Sequence, residues 1–309
     1  MVAAMTDPIL AYVVPTKDRP DDLRKLLASL VVQTRQPRQI IIVDGSDPVI
    51  EPVLAEFPGL PLTYVRVFPP SLAKQRNAGM AALRPDITVA GYLDDDLVLE
   101  ADATERMAAF WRDAGAEVGG AAFCILNQPV ASNNKLTGLF LVDSPLPGRL
   151  LPSGFQSQIP PLLTTTAVQW LYGGATLWRR TVIDSFSYDE WYIGHGYLED
   201  VDYSHRVARG HKLFVVGEAR CYHYSRPIAL AREYTLGRQQ IVNRAYFVAK
   251  LGGFSKAALA WAFFGQALTN LASSLRRRDS AGLRRFAGNM AGLLSLALGD
   301  RRQIGNYYK

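Results

Sequence analysis

Apolar residues come in two rhythms along this chain. Mostly apolar runs at residues 10–14, 40–43, 62–68 and 87–93 have strand length, and the first, second and fourth lead into polar clusters. Between them the spacing turns helical. Leu23, Leu26, Leu27 and Leu30 fall at i, i+3, i+4 and i+7 behind Pro20, with Asp21 and Asp22 where a helix dipole favours carboxylates. Further helices are predicted over residues 49–57, from a Ser71 cap through Lys74, Arg76, Asn77 and Gly79, and over residues 101–114. Such alternation is the signature of an α/β fold, a mostly parallel sheet with helices on both faces.

The strand ends carry the candidate chemistry: Thr16-Lys17-Asp18-Arg19, then Asp44, then Asp94-Asp95-Asp96. In open α/β sheets ligands collect outside the carboxyl ends of strands. On an extended backbone Asp94 and Asp96 point one way and Asp95 the other. Two converging carboxylates suit Mg²⁺ or Mn²⁺, whereas the bland alternative is a solvated acidic turn. Asp44 can accept from a ring N–H of uracil or thymine, and Lys74 or Arg76 can reach phosphate. An Asp at a strand end also serves as a turn former, but recurrence at three ends of one edge weighs against that reading for all of them. Neither a dinucleotide glycine fingerprint nor a Walker loop is present.

Residues 127–166, rich in Pro, Ser, Asn and Gly, lose periodicity and read as an irregular, acceptor-side loop. After them, Gly173-Gly174 is either a turn or a place where backbone approaches a ligand. Farther on, aromatics and glycines give way to Glu199 and Asp200 at the start of a helical pattern running through Val207 to a stop at Gly210. Acids there either complement the helix dipole or, facing a cleft, take the proton of an attacking hydroxyl. Trp191 and Tyr192 offer stacking surface for a sugar or belong to the core. His195, His205, His211 and His223 show no zinc spacing; His223, after a strand at 213–216 and a short second run, either completes a metal or diphosphate site or is a surface histidine.

Composition adds an asymmetry. The 309 residues, 49% hydrophobic, suffice for one large domain and an appendage, and two cysteines cannot build a disulfide framework. No signal-peptide pattern opens the sequence, so a reducing, cytoplasmic setting is the expectation. The net charge of +6 divides into 14 Lys and Arg against three acids over residues 226–309, a balance of +11, and 20 against 25 before them, −5. That basic region is patterned as three helices: Tyr234 to Val248, Trp261 to Leu275 ahead of Arg276-Arg277-Arg278, and Leu283 to Ala297. Gln266, Thr269, Asn270, Ser273 and Ser274 make a bilayer crossing by the second costly. Basic amphipathic helices lying in a membrane interface fit better, the alternative being an appendage packed on the catalytic domain or forming a dimer.

The ordered set of motifs resembles the family-2 glycosyltransferases of the GT-A fold, especially bacterial non-processive enzymes related to rhamnosyltransferases. The pieces are Val14-Pro15-Thr16-Lys17-Asp18-Arg19, Ile42-Val43-Asp44-Gly45-Ser46-Asp47, Lys74-Gln75-Arg76-Asn77-Ala78-Gly79, Leu93-Asp94-Asp95-Asp96, Tyr172-Gly173-Gly174-Ala175, Gly196-Tyr197-Leu198-Glu199-Asp200-Val201-Asp202 and His223. The resemblance implies a GT-A catalytic domain over residues 1–225 and a helical region over 226–309. It implies an inverting enzyme of cell-surface polysaccharide synthesis that moves a sugar from a UDP- or dTDP-linked donor to a glycan or lipid-linked acceptor. Asp44 would contact the base, with Pro15, Thr16, Arg19, Lys74, Arg76, Asn77, Asp95 and Gly174 around the nucleotide sugar. Asp94 would lie near the ribose, and Asp96, with Asp94 and His223, would hold Mn²⁺ or Mg²⁺ on the diphosphate. Asp200 would be the base, and Trp191, Tyr192, His195 and Glu199 would meet the acceptor.

The Gln-x-x-Arg-Trp signature of processive synthases is absent, and the loop at Gly45-Ser46-Asp47 is shorter than the family's commoner form. A sugar nucleotidyltransferase would need a glycine-rich activating loop with a following Pro-Lys, which is missing. A basic nucleic-acid-binding protein would explain the tail but not the acidic strand ends. The expected partners are therefore the donor, the acceptor and an anionic membrane surface at the inner face of the cell membrane, without nucleic acid, leaving room for a homo-oligomer.

Overall fold

A computed structural model describes residues 7–129, 135–194 and 196–299. The chain forms two compact units, one of residues 1–129 with 160–225, the other of residues 130–159 with 226–309. The described residues 135–159, read from the sequence as part of the first unit, thus belong to the second.

The first unit runs β1 (Leu10–Thr16), α1 (Pro20–Val31), β2 (Gln39–Asp44), a 3-10 turn (Glu51–Glu56), β3 (Leu62–Arg66), α2 (Leu72–Ala81), β4 (Val89–Leu93), β5 (Leu97–Leu99), α3 (Ala103–Asp113) and β6 (Val118–Ile125). After α4 (Lys135–Leu139) in the second unit, it resumes with β7 (Thr166–Val168), β8 (Ala175–Arg179), α5 (Arg180–Ser185), α6 (Glu199–Ala208) and β9 (Lys212–His223). The strands form one sheet in the order β3-β2-β1-β4-β8-β6-β9-β5, with β7 also on β9.

The parallel arrangement predicted from the alternation holds for β3-β2-β1-β4. Beyond β4 the sheet is mixed: β8 runs antiparallel to β4 and β6, β6 parallel to β9, and β5 and β7 antiparallel to β9. Every residue of β1, β2 and β4 is buried, as continuous apolar runs in a doubly covered sheet should be. Leu23, Leu26, Leu27 and Leu30 of α1 are sealed into the same core with Tyr12, Ile42 and Met107.

Local expectations shift in four places. The helix predicted over 49–57 is only the 3-10 turn, and the strand predicted up to Asp96 ends at Leu93. Ser71 precedes α2 in extended conformation, but its buried hydroxyl makes no capping bond. Residues 213–216 and the run after them are one strand, β9, which ends at His223.

In the second unit α7 (Glu233–Leu251), α8 (Lys256–Arg277) and α9 (Ser280–Ala297) follow one another, the last two capped by the side chains of Ser255 and Asp279. No described helix is long and apolar enough to cross a membrane.

Gly91 marks where β4 and β8 approach most closely, since a Cβ there would lie 1.7 Å from the Thr176 carbonyl oxygen. Gly91→Ala is expected to lower stability by about 1–3 kcal/mol through overpacking, read as a reduced urea midpoint with unchanged m-value.

Candidate active site

Parallel strands in register deliver their carboxyl ends side by side, with Thr16 opposite Asp44 and β4 on the other flank of β1. The three acids after β4 occupy a turn rather than extended strand. Asp94 N–H donates to Gly174 O (2.7 Å), Leu97 N–H to Asp94 O (3.2 Å) and Tyr224 N–H to Asp96 O (2.9 Å), so the turn is bound to the loop before β8 and to the end of β9. This brings one ligand atom each of Asp94, Asp96 and His223 within 4.8 Å of one another. Asp95 turns to Thr16 Oγ1 (2.8 Å) and Arg19 Nη1 (3.1 Å), which also reaches Asp96 (3.2 Å).

Burial raises the Asp95 carboxyl to about 7, against the pull of Arg19 and Thr16. Burial also pushes Asp96 upward, but His223, 2.9 Å away, and Arg19 outweigh it and the net shift is down. At His223 burial disfavours the imidazolium, yet the contact with Asp96 and the charges of Asp94 and Asp96 carry the net shift upward. Two carboxylates and one imidazole, partly buried, fit a divalent cation with oxygen-and-nitrogen preference, Mn²⁺ better than Mg²⁺.

The second acidic stretch meets the first through Arg76. Its guanidinium is 2% exposed; Nη1 donates to Glu199 Oε1 (2.9 Å) and Nη2 lies 3.6 Å from Asp94 Oδ1. It also stands over the rings of Tyr188 (5.0 Å) and Tyr92 (5.5 Å). Glycines 173 and 174 make room for this arrangement: a Cβ at Gly173 would come within 2.4 Å of the Arg76 guanidinium, and one at Gly174 within 1.9 Å of the Asp94 carboxylate. The paired glycines thus admit protein side chains, where the sequence suggested a turn or a ligand.

Entry to α6 is strained, with Tyr197 at φ 141° and Leu198 at φ 75°. Glu199 Oε2 accepts from Tyr197 N–H (2.7 Å), and Asp200 Oδ1 from Val201 N–H (2.8 Å). Burial raises Glu199 to about 7, with Asp200 adding to the rise and Arg76 opposing it. Burial likewise moves Asp200 upward, against Arg76 and the backbone N–H groups of Val201, Asp200 and Gly173. Asp200 keeps more of its surface open than Glu199.

Other candidates take structural posts. The Asp44 carboxylate is fully buried and accepts from Ser46 N–H (2.7 Å), Ile50 N–H (3.0 Å) and Tyr64 O–H (2.8 Å), so the group on which a uracil or thymine preference rests is already bonded. Asn77 clamps the loop after α5 through Tyr188 N–H and O and Glu190. Pro15 is buried in β1, and Lys74 is exposed on α2. Tyr192 is fully buried with its hydroxyl 3.3 Å from Asp202, a core residue with no surface for an acceptor. Trp191, partly exposed, packs edge-on against it. His195 lies outside the described residues.

Gln75, absent from the candidates, donates to Thr16 O (2.9 Å) and Val43 O (2.8 Å), holding the ends of β1 and β2 together. Tyr92 and Tyr188 were equally hidden: one sits in an apolar strand and the other among loop aromatics, and only packing turns both toward one guanidinium.

The family model described as glycosyl transferase family 2 matches residues 12–153. Among solved structures, the mannosyltransferase PcManGT from Pyrobaculum calidifontis, in complex with GDP-Man and Mn²⁺, is similar over 93% of this chain and 88% of its own at 15% identity and a TM-score of 0.57. TarS of S. aureus is similar at 14% identity and TM-score 0.51, over 90% of this chain and 54% of its own; its 1–349 segment gives the same identity and TM-score over 97% and 93%. No curated protein sequence matches the chain. These likenesses establish the GT-A fold.

Gly174→Ala should displace the Asp94 carboxylate and weaken Mn²⁺ binding at least about tenfold by calorimetric titration, with far-UV circular dichroism unchanged. A second expectation follows from the raised Glu199 carboxyl. The folded chain holds its proton between pH 4.5, the ordinary value, and about 7, so the stability tied to that proton is present at low pH and lost as pH rises through this window. Glu199→Gln should flatten that fall in urea denaturation series.

Proposed function

Because residues 12–153 carry the sequence of glycosyl transferase family 2 on a GT-A fold, and the chain is a glycosyltransferase, we propose that it moves a sugar from a nucleoside-diphosphate sugar to an acceptor hydroxyl with inversion. The observation that carries this reading is the convergence of both acidic stretches on the Arg76 guanidinium. The complex of the similar mannosyltransferase with GDP-Man and Mn²⁺ supports a donor of this class and a manganese ion.

Asp94, Asp96 and His223 would hold the cation. When bound it would neutralise charge on the diphosphate leaving group and ease cleavage of the sugar–phosphate bond. Arg19, paired with Asp95 and Asp96, holds these two carboxylates together while the site awaits donor.

Asp200 is the general base. Its upward shift improves it as a proton acceptor, and the first turn of α6 keeps it near the positive end of a helix dipole. The acceptor O–H proton passes to Asp200, the acceptor oxygen bonds to the anomeric carbon, and the sugar–phosphate bond breaks with its electron pair leaving on the nucleoside diphosphate. Glu199, held by Arg76 and the Tyr197 N–H, positions the turn that presents Asp200. A lipid-linked or glycan acceptor in polysaccharide synthesis is the proposed second substrate.

Release of free nucleoside diphosphate, followed over a panel of nucleotide sugars with Mn²⁺, tests the assignment. Asp200→Asn should lower turnover by roughly 10²–10⁴-fold with donor affinity intact. Asp96→Ala should remove the Mn²⁺ dependence of donor binding. Wild-type turnover in Asp200→Asn would overturn the role of that residue.

A further inference from the structure

The helices of the second unit bury polar and small residues alongside apolar ones: Gly237, Gln240, Asn243 and Asn270 go inward with Ile241, Val242, Phe247 and Phe263. α9 buries Gly282, Gly288, Asn289 and Gly292 and turns Leu283, Met290 and Leu294 outward. A Cβ at Gly288 would come within 2.0 Å of the Tyr234 carbonyl oxygen, and one at Gly237 within 2.1 Å of the Arg285 carbonyl oxygen, so α7 and α9 touch through bare backbone. Between the helices lies a polar network: Asn270 Nδ2 donates to Asn289 Oδ1 (2.7 Å) and Gln240 Oε1 (3.2 Å), and Asn289 Nδ2 to Gly237 O (2.7 Å). Glu233 and Arg285 add a two-point ion pair.

The outer face is apolar. On α8, Trp261, Phe264, Leu268 and Leu275 fall at i, i+3, i+7 and i+14, one side of the helix, and are 42–72% exposed. Small-residue contacts with amide cross-links inside and large apolar side chains outside are how helices pack when their surroundings are not water. In water the same arrangement leaves these large apolar side chains uncovered.

Charge says what covers it. From Ala257 to Leu275 the sequence of α8 carries no charge; Lys256 stands at one end and Arg276 at the other, with exposed Arg278 and Arg284 at the turn into α9. Two copies meeting on a face bordered by these cations, in a region of balance +11, would repel. An anionic bilayer instead offers acyl chains to the apolar stripe and phosphates to its flanks. We propose that the α8–α9 face lies flat on an anionic phospholipid surface, with Phe264, Leu268 and Leu294 immersed and Arg276, Arg278 and Arg284 at the headgroups. At 22 residues, α8 would extend roughly 33 Å along that surface.

Flotation of the full chain with vesicles of equal parts phosphatidylcholine and phosphatidylglycerol, without donor or acceptor, tests this separately from sugar transfer. The wild type should float at low salt and float less with phosphatidylcholine alone. Phe264→Ser/Leu268→Ser/Leu294→Ser should reduce vesicle partition by roughly tenfold for each side chain removed, and Arg276→Ser/Arg278→Ser/Arg284→Ser should erase the preference for anionic lipid. All replaced side chains are exposed, and nucleoside diphosphate release monitors folding in both variants. A wild type that stays at the bottom of the gradient overturns the proposal. So does a lipid-independent dimer in light scattering that the triple apolar variant dissolves.

Discussion

A buried positive charge holds the candidate active site of this molecule together. Taking a guanidinium as deeply out of water as Arg76 costs several kcal/mol, an expense offset only when carboxylates and π faces are already in place around it. Tyr92 and Asp94 at the end of β4, Tyr188 in the loop after α5 and Glu199 at the start of α6 supply them. The dependence runs both ways, because burial raises Glu199 and Asp200 and Arg76 limits that rise. Two acidic stretches more than a hundred residues apart in sequence therefore become conditional on each other.

The sheet explains how such distant residues arrive at one place. Four parallel strands bring β1, β2 and β4 to a common edge with their polar tails aligned. β8 then enters antiparallel beside β4, which sets Gly173-Gly174 against the acidic turn, and β9 ends with His223 beside Leu97. The change of strand direction after β4 is thus what brings Asp94, Asp96 and His223 together. Gln75 spends its bonding capacity on the ends of β1 and β2 and Asp44 on the loop after β2, so the site's rigidity comes from polar groups that face inward.

In the helical unit polarity is distributed the other way. Glycine contacts and an amide network share the interior with buried side chains such as Ile241, Phe247 and Phe263, while a second set of aromatic and aliphatic side chains on α8 and α9 faces outward. A unit built so adds backbone proximity and hydrogen bonds to the burial of Ile241, Val242, Phe247 and Phe263, and its outer face is left to whatever covers it.

The sequence by itself determined the α/β class, the first four strands and the helices α1, α2, α3 and α6 with their approximate limits, because apolar periodicity and buried runs are local properties. It also singled out Asp94, Asp96, Glu199, Asp200 and His223, since clustered acids at the ends of apolar segments stand out in one dimension. Only the tertiary structure decided that Asp95 turns to Thr16, that Asp44 binds its own loop, that Asn77 clamps the loop after α5, and that Tyr192 is core. It alone revealed the mixed half of the sheet, the attachment of residues 135–159 to the helical unit, and the purpose of Gly173 and Gly174. The reason is physical: a side chain's role follows from the partners that packing brings within a few ångströms, and those partners, near or far along the chain, are not set by the local apolar pattern.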